Sequence, residues 1–378
     1  MLKKILISFI TLTICFTVTL NAEATNIDTV AKELDMYSVI DELKEYTQNE
    51  IDIDIDAIAS DLLTGKGADY GMIGNFIINK FFYELRIGFK LCISTLIVII
   101  LMAIVKSLEL EKDSTISKIT SLVGFLVIVT FILKSYFVML EVFVDAIMLL
   151  TQIMEVIAPF ILAILIATGE VVTSGILGPV LLFITSLIGV IVTYIILPLL
   201  SASVVFKILS NLTEGIKVDK LGKIFSSTAI WIVGIVFTLF LAIMELEGSV
   251  STSIDEVTVK TTQAAVSNLV PVVGKFVSDS LEVVMGASEI IGKTIGVIGI
   301  IVIIVVSLIP VIKIIIHSFM YFVLAAISEL LNADSKITDL CEAISKQYKT
   351  MLGIMIGVGV TFVISIGIVI NLMGRVGG

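Results

Sequence analysis

A single histidine, His317, and three scattered cysteines, Cys15, Cys92 and Cys341, leave this 378-residue chain with little to build a metal centre or a disulfide framework from. The cysteines form no CxxC pair, and the spacing offers no zinc set and no Cys–His nucleophile. No hydrolase site, cofactor or metal is therefore expected, and the chain reads as a non-enzyme. Charge is also scarce: 15% of residues are charged, against about 25% in soluble domains. The balance is acidic, −10 overall, which excludes the basic face that nucleic-acid binding requires. With 58% hydrophobic residues and a mean hydropathy of +1.14, the composition is that of a membrane protein.

What fills the space is long uncharged sequence. Val171 to Phe206 runs for 36 residues without a charged side chain, between Glu170 and Lys207. A helix of that length measures roughly 54 Å, whereas a bilayer core is about 30 Å thick. The run contains Gly175, Gly178-Pro179 and Pro198. This predicts a segment broken near 175–179 or entering as a hairpin, with the break shielded by protein because irregular backbone is not tolerated against lipid.

Taken in order, residues 1–24 read as a signal peptide, with Lys3-Lys4, the apolar stretch Ile5 to Leu20 and the small residues of Ala22-Glu23-Ala24. The alternative is an uncleaved first span. Residues 25–86 form an acidic extracytoplasmic region, with 13 Asp/Glu against 5 Lys/Arg. Ile51, Ile55, Ile58 and Leu62 recur at helical spacing. The Ile-Asp repeat at 51–56 also alternates like a strand, and Asp52, Asp54 and Asp56 imitate a calcium loop. That loop needs Gly and Glu where Ala57 and Leu63 stand. Gly65-Lys66-Gly67 is a turn. Phe76, Phe81, Phe82 and Tyr83 beside Lys80 and Arg86 suit an interfacial helix.

Residues 87–244 form a first membrane bundle, with spans near 87–105, 119–140, 146–168 and 224–244 around the broken 171–206 run. The lysine-bearing loops Lys106–Lys118 and Lys207–Lys223 are cytoplasmic by the positive-inside rule. Residues 245–293 are an extracytoplasmic or interfacial amphipathic segment, and 294–378 a C-terminal bundle with spans 294–312 and 351–373. Whether 314–331 crosses separately decides the side of the C-terminus, and both readings stay open. The fold class is all-α polytopic, with about six to eight transmembrane helices.

Two constellations stand out. If 119–140 and 146–168 form a hairpin turning near residue 143, Lys134 lies within one turn of Glu155, giving an intramembrane polar pair. Gly353, Gly357, Thr361 and Ser365 recur every fourth residue, and Gly292 and Gly296 repeat the pattern. Such ridges let helix backbones approach closely, within the chain or against another subunit.

Gly248, Asp255, Lys260, Asn268, Pro271, Gly274 and Asp279, followed by Gly292-Lys293-Thr294-Ile295-Gly296, resemble the stage III sporulation protein AE family. The likeness extends over nearly the whole chain through the order of its segments. It implies a membrane subunit of the channel-like complex between mother cell and forespore. The chain would then lie in the mother-cell membrane facing the forespore, with the other membrane subunits of that stage III sporulation complex and the lipid bilayer as partners. A stand-alone transporter using Lys134 and Glu155 is the alternative, and a membrane enzyme has no supporting constellation.

Overall fold

A computed structural model describes residues 32, 34–47, 55–63, 70–108, 115–212, 218–243 and 271–373. The predicted signal peptide and most of the 245–293 segment lie outside these residues. The described residues are helical, with no strand among them. In order they form α1 (Met36–Thr47), α2 (Ile55–Leu63), α3 (Tyr70–Leu108), α4 (Thr115–Ala167), α5 (Val171–Ile191), α6 (Leu197–Leu212), α7 (Asp219–Ile243), α8 (Pro271–Leu330) and α9 (Ser335–Leu372). A π-turn, Val192–Ile196, joins α5 to α6.

Six helices are long and apolar enough to cross a membrane, so the protein is a multi-pass membrane protein. They are also long for the task. The apolar window of α8, Met285–Leu330, has 46 residues, or about 69 Å. Length arises because few breakers interrupt these helices. Proline is present 5 times in the whole chain, and Pro159, Pro179 and Pro310 lie inside helices without ending them.

Two expectations are corrected here. Residues 119–140 and 146–168 are not a hairpin but one helix, α4. Glu141 and Asp145 interrupt the apolar run, but Glu is a good helix former and no Gly or Pro stands between Leu133 and Ala158. The 171–206 run is not broken at Gly178-Pro179. Gly178 faces Leu162, where an added Cβ would lie 3.3 Å from the Leu162 side chain, so it serves close helix approach. The irregularity falls at 192–196, where the Leu197 amide reaches back to the Val192 carbonyl. Pro198 accounts for it: its ring clashes with the carbonyl four residues back, and it has no N–H to offer. Of the two readings left open for 314–331, the helix follows the continuation: these residues extend α8 to Leu330 with no separate crossing.

The α8–α9 hairpin is the centre, flanked by α4 and α3. Its turn has Asn332 in the left-handed region (φ 51°), and Asp334 caps α9 by accepting from the Lys336 amide at 3.0 Å. Between apolar helices in lipid there is no hydrophobic driving force, so close packing has to hold the bundle together. Added Cβ atoms at Gly88 and Gly299 would lie 2.6 Å from Ile316 and Ile157 respectively. These contacts run α3 parallel to α8 and α4 antiparallel to it. At the N-terminal side, Met36, Ile40, Leu43, Ile55, Ile58 and Leu62 are buried, which supports the helical over the strand reading for α2. Lys44 bridges α1 and α2 to Asp56 at 2.6 Å, and that hydrogen bond, ahead of the one to Asp41, raises the lysine's pKa.

The α4–α5 turn depends on Gly169 at φ 92°. The Glu170 amide reaches the Leu165 carbonyl at 2.9 Å, and Ser174 Oγ donates to the Leu162 carbonyl at 3.0 Å. Gly169→Ala places a Cβ in a strained conformation and should cost about 1–3 kcal/mol, read as a lower melting temperature of the detergent-solubilised protein. An unchanged melting temperature would show that the turn relaxes freely.

Candidate functional site, a polar waist

Past the middle of α8, in its last third, the apolar sequence is interrupted by Lys313, one turn after Pro310. The Lys313 ammonium meets Glu84 of α3 at 3.8 Å. Glu84 is only 5% exposed, so its carboxylate is largely removed from solvent and this lysine is its counter-charge. Lys313 also lines a cavity of about 140 Å³ with Asp145, Val306, Ile309 and Pro310. Proline has no N–H, so the Val306 carbonyl loses its usual helical donor at this cavity.

One turn further, His317 is buried and its Nδ1 lies 2.9 Å from the Lys313 carbonyl. A carbonyl only accepts, so Nδ1 carries the proton and Nε2 is an acceptor. Its ring lies 6.0 Å from that of Tyr348, which also packs against Tyr136 and Tyr321 at 5.9 and 5.6 Å. Tyr136 donates to the Leu200 carbonyl at 3.2 Å. Ser318 and Ser345 exchange hydrogen bonds, each hydroxyl donating to the other's carbonyl at 3.1 and 2.9 Å. The bundle is therefore polar inside at one height, where α8 carries Pro310 and the α5–α6 path carries the π-turn. Single-turn π-bulges often mark functional positions.

Towards the α8–α9 turn this interior opens on a cleft of about 470 Å³ between α6, α7 and α9. Gln347 contacts Ser203, whose hydroxyl donates to the Gly222 carbonyl at 2.6 Å. Asp219 holds Lys207 at 3.2 Å and Lys223 at 2.7 Å, and Lys346 pairs with Glu342 at 3.5 Å. Lysines of α6, α7 and the first turns of α9 thus meet at one end of the bundle.

The residues expected to act as a pair do not. Lys134 and Glu155 lie about six turns apart on α4, about 32 Å, and both are exposed. The hairpin that would have joined them is absent, and the transporter reading built on them goes with it. The small-residue ridge is split. An added Cβ at Gly292 would strike Ile164 and Met373, at Gly296 Ile370, and at Gly357 the Phe237 ring at 2.7 Å, whereas at Gly353 it meets nothing within 4 Å. Thr361 and Ser365 donate to carbonyls of their own helix, those of Gly357 and Thr361. Of the family-like positions, Gly248, Asp255, Lys260 and Asn268 lie outside the described residues. Pro271, Gly274 and Asp279 fall in the first turns of α8, with proline at the favoured first position.

Sequence reasoning missed the Glu84–Lys313 contact. Lys313 carried the signal, as the one charge in an apolar stretch from Thr294 to Ser328. Nothing local identified Glu84 as its partner.

No solved structure matches this chain. The chain is 27% identical over 292 residues to stage III sporulation protein AE of Bacillus subtilis (strain 168), covering 77% of this chain and 73% of that relative. The family described as stage III sporulation protein AE matches residues 53–373, which takes in all six apolar helices and the whole waist; the chain belongs to the stage III sporulation protein AE family.

Proposed function

We propose that this protein is a non-enzymatic integral membrane subunit of a channel-like complex between mother cell and forespore, in the mother-cell membrane facing the forespore. The observation that carries this reading is the family match across the full set of membrane-crossing helices. We place the cleft end, with Lys207, Lys223, Lys336 and Lys346, in the cytoplasm, following the positive-inside rule. The acidic N-terminal region and the C-terminus then lie on the opposite side. The support is that α8 carries no turn at 313, so α9 runs away from the lysine end.

The test is a tagged copy expressed in sporulating cells and extracted in mild detergent. It should co-purify with other membrane subunits, and loss of the gene should lower the yield of heat-resistant spores. In the same cells Asn332→Cys should react with a membrane-impermeant maleimide only after permeabilisation. Recovery of the chain alone from cells at the stage of highest expression would reject the complex, and labelling of intact cells would invert the orientation.

A further inference from the structure

Between the lysine-end cleft and the cavity beside Asp145, the interior is lined by hydroxyls, an imidazole and an amide. Elsewhere the core is dominated by aliphatic side chains. The cleft reaches inward to Ser203 and Gln347. Ser345 and Ser318 come next, with their hydroxyl oxygens 3.4 Å apart. Tyr348 follows, ringed by Tyr136, Tyr321 and His317. His317 is bonded to the Lys313 carbonyl, and Lys313 opens on the second cavity.

Three hydroxyls at the centre, those of Ser135, Tyr321 and Tyr348, are buried without a well-formed hydrogen bond, and among the described residues have only one another within hydrogen-bonding reach. Ser135 neighbours both phenols, so the three converge. As packing elements they are poor choices, since phenylalanine would fill the same space without burying an unsatisfied hydroxyl. Buried groups of this kind are satisfied by water. Hydroxyls bridged by water relay protons: each oxygen takes a proton on a lone pair as it releases its own, so neither charge nor covalent structure changes.

We propose that the waist conducts protons between the cleft and the cavity beside Asp145. A proton entering from the cleft passes Ser345 and Ser318 and the Ser135–Tyr321–Tyr348 group, bridged by water. It reaches His317 at Nε2, since Nδ1 is committed to the Lys313 carbonyl. The imidazolium so formed gives up its Nδ1 proton through water to the carboxylate of Asp145, which lines the cavity and releases the proton there, and the ring returns to its starting tautomer. The charged groups lining this exit are Lys313 from α8 and Asp145 from α4, and Glu84 from α3 pairs with Lys313 from outside the lining. Cys92 and Cys341 are buried and reduced nearby and take no part.

The experiment reconstitutes the purified full chain into liposomes with a trapped pH-sensitive dye, and drives proton entry by a potassium diffusion potential set with valinomycin. The unaltered chain should acidify the lumen faster than protein-free vesicles. Tyr348→Phe and Tyr321→Phe keep the rings and remove hydroxyls whose side-chain hydrogen-bonding neighbour is Ser135. Each should abolish the added flux while leaving the melting temperature equal or higher, a combination that a purely structural role does not give. Asp145→Asn, which removes the carboxylate lining the exit cavity, should also abolish it, and Glu155→Gln, exposed on α4 away from the waist, should leave it intact. Flux no faster than protein-free vesicles for the unaltered chain, or undiminished flux in both tyrosine variants, overturns the proposal. The measurement needs this chain alone, so a chain that conducts but co-purifies with nothing would reject the complex and retain the path.

Discussion

Lys313→Met should sharply reduce the amount of folded protein in the membrane, and Glu84→Gln should rescue much of the loss. Removing the ammonium leaves Glu84 as a carboxylate that is 5% exposed and without its counter-charge. Breaking a buried pair from one side costs about 3–5 kcal/mol. The Lys313 side chain is 26% exposed, which puts the expected cost at the lower end, about 3 kcal/mol. Against a total stability of roughly 5–15 kcal/mol, that is a large share. The double variant has no charge to strand and should recover most of it. Melting temperatures of the four proteins in detergent close the cycle. Losses that simply add would mean the two groups do not interact. Lys134→Met supplies the contrast: exposed on α4, it should change stability by no more than about 0.5 kcal/mol.

The second large effect is expected at Gly296. This glycine sits where α8 meets α9, and a Cβ there would collide with the Ile370 side chain, with Ile366 3.5 Å away. Both isoleucines are fully or almost fully buried, so they have little room to yield. Gly296→Leu should therefore cost about 1–3 kcal/mol or more through overpacking and lower the amount of folded protein. Gly353→Leu makes the same chemical change at an open position and should leave folding intact. If Gly353→Leu keeps normal abundance but loses co-purifying proteins, that position belongs to a contact between subunits. Equal behaviour of the two leucine variants would remove any special role for close approach at Gly296.

Helical periodicity and apolar length made much of this fold legible. Ile55, Ile58 and Leu62 are buried as their spacing required, and the apolar stretches from 87 to 373 fall, among the described residues, in six helices able to cross a membrane. What misled was punctuation. Glu141 and Asp145 end a hydrophobic run without ending a helix, because charge affects the partition into lipid far more than the backbone. Gly178-Pro179 looked like a break, yet Gly178 serves contact with Leu162. The real irregularity, Val192–Ile196, contains neither Gly nor Pro and is imposed from outside by Pro198. The waist was hidden for a different reason. Its parts come from α3, α4, α8 and α9, and their sequences carry no mark of which charges and hydroxyls will share one height. Lys134 and Glu155 were conspicuous as isolated charges, but a charge on an exposed helix face needs no partner.

The length of these helices leaves the molecule with more greasy surface than one bilayer can clothe. A hydrocarbon slab about 30 Å thick covers less than half of the 42-residue span Val171–Leu212, which measures about 63 Å and is mostly not buried within the bundle. Exposed apolar residues occur on both sides of the charged waist, with Met148, Phe183 and Val190 towards the α4–α5 turn and Ile97, Leu101 and Leu122 towards the lysine end. Stretching the lipid costs only fractions of a kcal/mol per Å, but the excess here is tens of ångströms and the total becomes prohibitive. One apolar girdle must therefore find a sheath other than lipid, and solitude is the state this molecule is least suited to.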